Sequence, residues 1–281
     1  MHIAISGASG FVGRRLVQTL EAGKHTVARL GRDAAGDLPR QSPLDAVVHL
    51  AGEPVSQRWN DDVKQRIRDS RIVGTRSLVN AMGKLETKPR VLVCASAIGL
   101  YGDRGGQLLD ESAGAADGFL ADVCRGWEAE ADRAAEFGVR VVKIRIGLVL
   151  GRDGGALAKM LPPFRLGLGA RLGDGSQWMS WIHLDDLVAM IQFAVEHDAA
   201  RGAWNGVAPN PVTNAEFTHQ LAAAVHRPAW FVAPEFLVKL GAGEMAQILF
   251  FSQRCVPAAA LAAGFQFRYP ELSGALRAVV R

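Results

Sequence analysis

The sequence predicts an α/β fold, a doubly wound parallel sheet that carries a smaller C-terminal lobe. Apolar runs of strand length recur through the first 150 residues with helical segments between them, the alternation that builds a parallel sheet. A chain of 281 residues can bury a full core and is long for one small domain. After Gly151 the alternation stops, and eight glycines or prolines fall between Gly154 and Gly175. The expected division is therefore a sheet domain over 1–150, with 176–207 returning to it, and a lobe with a helical cap over 151–281.

The first strand, 2–6, runs straight into Gly7, Gly10 and Gly13, and the helix 10–22 starts inside that triplet. Gly7 allows a sharp turn, Gly10 leaves bare backbone for approaching oxygens, and Gly13 lets the helix lie close on the strand. A helix N-terminus adds free N–H donors and partial positive charge, so the turn suits a dinucleotide pyrophosphate and marks a Rossmann-like domain. Ser9, Phe11 and Val12 lie within it and join the three glycines as candidate cofactor contacts.

The second strand, 25–30, ends in Leu30-Gly31-Arg32. A carboxylate at this point favours NAD by bonding the ribose hydroxyls, whereas a cation favours NADP by pairing the 2′-phosphate. Arg32 reads as a phosphate clamp because a guanidinium binds phosphate bidentately, and NADP(H) is the expected cofactor. Arg14 and Arg29 are either its supports or solvated surface arginines. The stretch Asp33 to Leu44 is too short for the extra strand-helix unit that often follows the second strand, which puts one edge of the sheet in question.

Strand 45–50 leads into Ala51-Gly52-Glu53, small residues that let backbone pass beside a ligand at the carboxyl ends of the strands. Helix 61–82, strand 90–95, helix 119–137 with its Gly138 stop, and strand 139–145 complete the pattern. Asp185-Asp186 reads as a helix cap before an apolar run, followed by a strand at 203–207 and a helix from Asn214. From Pro228 the chain is Ala- and Leu-rich helix. Gln177, Trp178 and Trp181, beside the Gly-rich stretch, either bind a ring of the substrate or pack the lobe.

Composition narrows the function classes. The net charge of +4 comes from scattered Lys and Arg with no basic arm, which argues against nucleic acid and for an anionic small molecule. Cys94, Cys124 and Cys255 lack metal-type spacing and read as reduced thiols of a cytoplasmic protein. No apolar stretch reaches transmembrane length.

In order along the chain, Gly7-Ala8-Ser9-Gly10-Phe11-Val12-Gly13, His49-Leu50-Ala51-Gly52, Ser96-Ala97-Ile98-Gly99-Leu100-Tyr101-Gly102, Trp181-Ile182-His183-Leu184-Asp185-Asp186 and Asn205-Gly206 resemble an extended short-chain dehydrogenase/reductase. Ala51-Gly52-Glu53, Ser70-Arg71, Arg145 to Gly151, Pro163 to Gly169, Asn205 to Pro209 and Gly264 to Pro270 resemble its branch of predicted nucleoside-diphosphate-sugar epimerases with their own C-terminal domain. The resemblance covers nearly the whole chain. It implies NADP(H), adds Gly31, Leu50, Ala51, Arg71 and Val149 to the cofactor contacts, and suggests a sugar nucleotide as substrate.

The parent family moves its proton through a Tyr-x-x-x-Lys pair. This chain has only Tyr101 and Tyr269, followed four residues later by Gly105 and Ser273. Alignment on Trp127-Glu128 puts Leu120 and Cys124 where the pair would stand, and Ala97 at the family's Ser/Thr position, with Ser96 beside it as a further cofactor contact. General acid–base help is typically worth about 10²- to 10⁴-fold, so another group must supply it. Tyr101 is a candidate if it turns toward the nicotinamide rather than packing at its strand end. Glu53 is an acid–base candidate or a surface or capping carboxylate. Cys124 is a nucleophile or buried packing, and His183 belongs to either core or pocket. The leading expectation is an oxidoreductase or epimerase-like enzyme; the alternative is a non-catalytic NADPH-binding regulator or sensor.

Overall fold

Four strands whose residues are mostly buried form the middle of the molecule. In chain order the first half of the computed structural model, which describes residues 1–41 and 43–280, runs β1 (His2–Ser6), α1 (Phe11–Ala22), β2 (Thr26–Leu30), α2 (Ala34–Asp37), β3 (Ala46–His49), α3 (Asp61–Lys84), β4 (Val91–Ala97), β5 (Leu108–Leu109), α4 (Phe119–Asp132) and β6 (Arg140–Ile146). Ser42, inside the Asp33–Leu44 connection, and Arg281, at the end of the lobe, lie outside the described residues. The second half runs β7 (Leu148–Leu150), α5 (Gly155–Arg165), β8 (Ala170–Leu172), β9 (Trp178–Met179), β10 (Trp181–His183), α6 (Leu184–Glu196), β11 (Gly202–Gly206), β12 (Val212–Thr213), α7 (Asn214–Ala224), β13 (Phe231–Ala233), α8 (Glu235–Ala242), α9 (Gln247–Phe250), β14 (Arg254–Cys255), α10 (Ala258–Ala262) and α11 (Leu272–Val280).

The main sheet has six parallel strands in the order β11-β6-β4-β3-β1-β2. Strand periodicity sends Ile3 and Ile5 to one face, against Leu16, Val17 and Leu20 of α1 and Val188 and Ile191 of α6. Ala4 points the other way, into a cluster with Leu78, Val79 and Met82 of α3 and Trp127 of α4. β2 forms the open edge because the short connection after it makes only α2 and a 3₁₀ turn, and its exposed Thr26 and Arg29 suit a strand with one unpaired side. The helix expected over 119–137 is α-helical to Asp132, tightens to 3₁₀ through Phe137, and stops at Gly138 with φ of +76°.

The Gly- and Pro-rich stretch after Gly151 departs from expectation. It contains α5, with Leu157, Leu161 and Phe164 buried at helical spacing and Pro162 and Pro163 confined to the C-terminal part. That apolar stripe packs with Trp181, Phe217, Leu221 and Leu276 in a separate core. β11 crosses back to pair with β6, in register Gly202 with Val142, so a segment from beyond the lobe's first strands completes the sheet.

Candidate functional site

The glycine turn after β1 is made by approaches that a side chain would block. Gly7 has φ of +75°, and a Cβ there would lie 2.8 Å from the Ala51 backbone nitrogen. A Cβ on Gly13 would lie 2.1 Å from the Gly7 carbonyl oxygen, so α1 rests on the turn itself. Gly10 caps α1 with no side-chain hydrogen bond, and the first turn holds no acidic residue. The opening N–H groups of this helix are left for a ligand, and the helix dipole favours an anion there. Phe11 anchors the helix on its far side, since Cβ atoms on Gly151, Gly154 and Gly155 would come within 2.9 Å of its ring.

Leu50, Ala51 and Gly52 leave β3 beside this turn, and Val12, Leu50 and Val149 are partly buried against the core around Ile5 and Ile182. A Cβ on Gly52 would sit 3.2 Å from the Arg71 guanidinium carbon. Arg71 Nη1 donates to the Glu53 carbonyl at 2.9 Å, and its guanidinium lies 5.1 Å from the Trp127 ring. The Glu53 side chain is partly exposed; Oε1 accepts from Gln57 Nε2 at 3.0 Å and lies 3.6 Å from Arg66 Nε. Under the turn, Ser6 Oγ and His49 Nδ1 share a 2.5 Å hydrogen bond, and His49 Nε2 and Thr75 Oγ1 share one of 3.0 Å. Burial, reinforced by the Arg71 charge, pushes the His49 pKa down to about 4, so the ring is neutral at pH 7.

At the end of β2 the Gly31 N–H donates to Asp37 Oδ2 at 2.8 Å. Arg32 is exposed and forms no ion pair among the described residues. Arg14 is also exposed, with Nη1 donating to the Ser9 carbonyl at 2.9 Å. Arg29 is drawn away to Glu21 at 2.6 Å, the surface-pair reading of that residue.

A second polar cluster, which sequence reasoning missed, closes the carboxyl ends of β4 and β6. Arg145 meets Glu128 through Nε to Oε1 at 2.8 Å and Nη2 to Oε2 at 2.9 Å, and its Nη1 donates to the Tyr101 hydroxyl at 2.8 Å. Ser96 Oγ donates to Glu128 Oε1 at 2.7 Å, while Tyr101 donates to Asn205 Oδ1 at 2.8 Å. Burial alone would raise the Glu128 pKa, but hydrogen bonds from Arg145 and Ser96 and the charges of Arg145 and Lys143 hold it below its ordinary value. Ser96, Tyr101, Glu128, Arg145 and Asn205 each stand in a motif of the sequence, but nothing local joins them into one cluster.

Residues 3–205 match the family model of the NAD dependent epimerase/dehydratase family. The chain belongs to that family. Residues 233–279 match a second model, a domain of unknown function (DUF1731). The chloroplastic homolog of the epimerase family protein SDR39U1 from Arabidopsis thaliana is 41% identical, with 100% of this chain and 87% of that protein covered. The crystal structure of human SDR39U1 with NADPH superposes at a TM-score of 0.93 and 34% identity over 99% of each chain. A nucleoside-diphosphate sugar epimerase from Corynebacterium glutamicum matches at 35% identity and a TM-score of 0.78, covering 98% of this chain and 57% of that one.

Against this family background several candidate side chains are already engaged within the protein. Tyr101 is fully buried, its hydroxyl donates to Asn205 and accepts from Arg145, and burial pushes its pKa up to about 12, which fits the packed reading of this residue. The Ser96 hydroxyl, expected among the cofactor contacts, donates to Glu128. Trp181 is fully buried with Nε1 donating to the Asn210 carbonyl, and buried Gln177 donates to the Leu172 and Leu249 carbonyls, which fits the lobe-packing reading of both. Trp178 remains partly exposed, with the Arg254 guanidinium 4.2 Å above its ring. Cys124 donates its Sγ–H to the Ala97 carbonyl at 3.7 Å, and burial raises the thiol to about 11, which fits packing rather than attack. The cap of α6 is His183, whose Nδ1 accepts from the Asp185 N–H at 3.0 Å, not an aspartate. Asp185 pairs with Arg15 at 2.8 Å, and Asp186 accepts two backbone N–H groups, from Arg268 and Tyr269, both at 2.9 Å.

Proposed function

We propose that the chain is an NADP(H)-dependent oxidoreductase of the epimerase-like type in which Glu53 exchanges the proton that the family's tyrosine would carry. The observation that carries this reading is the uncapped N-terminus of α1, held against Gly7 by a contact no side chain would permit. Gly7, Gly10 and Gly13, with the N–H groups at Phe11 and Val12, would hold the pyrophosphate. Arg32 would pair with the 2′-phosphate and Gly31 would adjoin it, while Leu50, Ala51, Gly52, Arg71 and Val149 would line the path toward the nicotinamide. The crystallisation of human SDR39U1 with NADPH supports the choice of cofactor.

When bound, the nicotinamide supplies or accepts hydride. Glu53 stands at the carboxyl end of β3, partly exposed, with Gln57 and Arg66 fixing its carboxylate. Arg71 holds the Glu53 backbone and brings a cation to the place beside Cys124 where the family's lysine would stand. We place the substrate, a sugar nucleotide by family, between the sheet domain of 1–150 and the lobe after 151, with Trp178 on the lobe side. Among the described residues no helix is long and apolar enough to cross a membrane. We read the compartment as cytoplasmic because Cys94, Cys124 and Cys255 are all free and buried.

The test is a fluorescence titration with NADPH and NADH, followed by absorbance at the reduced-nicotinamide band on adding sugar nucleotides and simple carbonyls. Turnover that Glu53→Gln abolishes while NADPH binding persists is the expected result. Tight NADPH binding without turnover would favour the non-catalytic sensor, the reading motivated by the absent Tyr-Lys pair. Failure to bind either nucleotide would overturn both.

A further inference from the structure

Away from the glycine turn, a groove of about 470 Å³ opens on the lobe between α7 and the strand β13. Arg171, His219 and Arg227 line it, and no carboxylate does so among the described residues. Arg171 projects from β8, and its Nε is buried with no hydrogen-bond partner. Arg227 lines the same groove and is held by Nε donating to the Arg165 carbonyl at 3.1 Å. The wall from α7 presents Ala222 and Ala223, and at the rim stands Trp230 with 85% of its surface exposed.

These features conflict with a surface left to water. Neither arginine forms a salt bridge among the described residues, although the Asp174 carboxylate lies near enough to Arg171 to feel its charge, and a tryptophan so exposed gives up the burial that usually justifies its size. The volume lies within the roughly 300–1,000 Å³ typical of small-molecule pockets. We infer that the groove binds an amphipathic anion, with an apolar or aromatic body against Trp230 and the alanine wall and a carboxylate, sulfonate or phosphate head at Arg171 and Arg227. A guanidinium pair suits such a head because its N–H fork reaches two oxygens at once. The site is separate from the dinucleotide crevice and does not depend on the activity proposed above.

The full chain would be titrated with 1-anilinonaphthalene-8-sulfonate and with uncharged N-phenyl-1-naphthylamine, which lacks the sulfonate. The expected result is one site that prefers the anion at least tenfold. Arg171→Gln should erase that preference, and Ala223→Phe, at an exposed helix position, should weaken both probes at least tenfold with far-UV circular dichroism unchanged. Equal affinity for the two probes, or unchanged anion affinity in both variants, would overturn the inference. Co-sedimentation with phosphatidylglycerol vesicles that Arg171→Gln abolishes would make the natural anion a lipid headgroup; binding of the soluble probe alone would make it a free metabolite.

Discussion

At the carboxyl end of β1 the helix α1 begins with no side-chain cap, whereas at the carboxyl ends of β4 and β6 the polar groups of Ser96, Glu128, Arg145, Tyr101 and Asn205 are bonded to one another. Both regions lie at the carboxyl ends of strands in one sheet. The first leaves donors open and in the second each side chain is bonded to another, although Ser96 adjoins the position of the family's serine or threonine. A buried ionisable residue beside a strand end is therefore no sign of chemistry in itself; what matters is whether its partners are already supplied by the protein.

The largest effect should come from opening the closed region. Arg145→Met leaves Glu128 buried without its bidentate partner, and removing one member of a buried pair typically costs about 3–5 kcal/mol. Denaturant unfolding should show a loss of that order, with NADPH binding retained wherever the variant remains folded. A loss under about 1 kcal/mol would show that the network adds little to the fold and would break the contrast with the open turn.

The next effect concerns the floor of the open region. His49 titrates at about 4 in the folded chain against 6.5 when unfolded, because burial disfavours the imidazolium. A histidine whose folded pKa is depressed contributes stability that is complete above the unfolded pKa and is lost as pH falls to the folded one. Between pH 6.5 and 4 this group alone should remove roughly 3 kcal/mol of unfolding free energy. His49→Asn should flatten that part of the stability–pH curve, and an unchanged slope would mean that the ring is not held neutral beneath the turn.

Much of the open region was legible in the sequence and little of the closed one was. Gly7, Gly10 and Gly13 are close in sequence and act on each other, so their spacing carries the geometry. Ser96 and Glu128 are 32 residues apart and Arg145 and Tyr101 are 44 apart, so no local pattern announces that they will bond. Tyr101 and Trp181 were ambiguous for the same reason, since an isolated polar aromatic looks alike whether its partner is a ligand or a distant strand. The short stretch from Asp33 to Leu44 raised the question of the sheet's edge, but which strand would end the sheet was not legible, because strand order is set by pairings between distant segments. Helix α5 was missed because the count of glycines and prolines outweighed the spacing of Leu157, Leu161 and Phe164, which was there to be read.

A smaller effect tests what the open region is open for. Arg32→Glu replaces an exposed, unpaired cation with an anion at the end of β2. Charge-assisted contacts of this kind are worth about 1.5–3 kcal/mol, so NADPH should bind roughly 10- to 100-fold more weakly while NADH changes little. Equal loss for the two nucleotides would remove Arg32 from the 2′-phosphate and turn attention to Arg14, which already sits on the Ser9 carbonyl.

The smallest effect separates Arg32 from its neighbour on the same strand end. Arg29 lies three residues earlier, and the strand sends its guanidinium to Glu21 at 2.6 Å, with the side chains 59% and 46% exposed. Exposed pairs of this type contribute about 0.2–1 kcal/mol at most and are screened by salt. Arg29→Gln should therefore change stability by less than about 1 kcal/mol and leave the NADPH/NADH affinity ratio as it was. A ratio that fell as far as with Arg32→Glu would mean that Arg29 abandons Glu21 when nucleotide arrives, and that the cation reading the phosphate is shared between the strand and the turn.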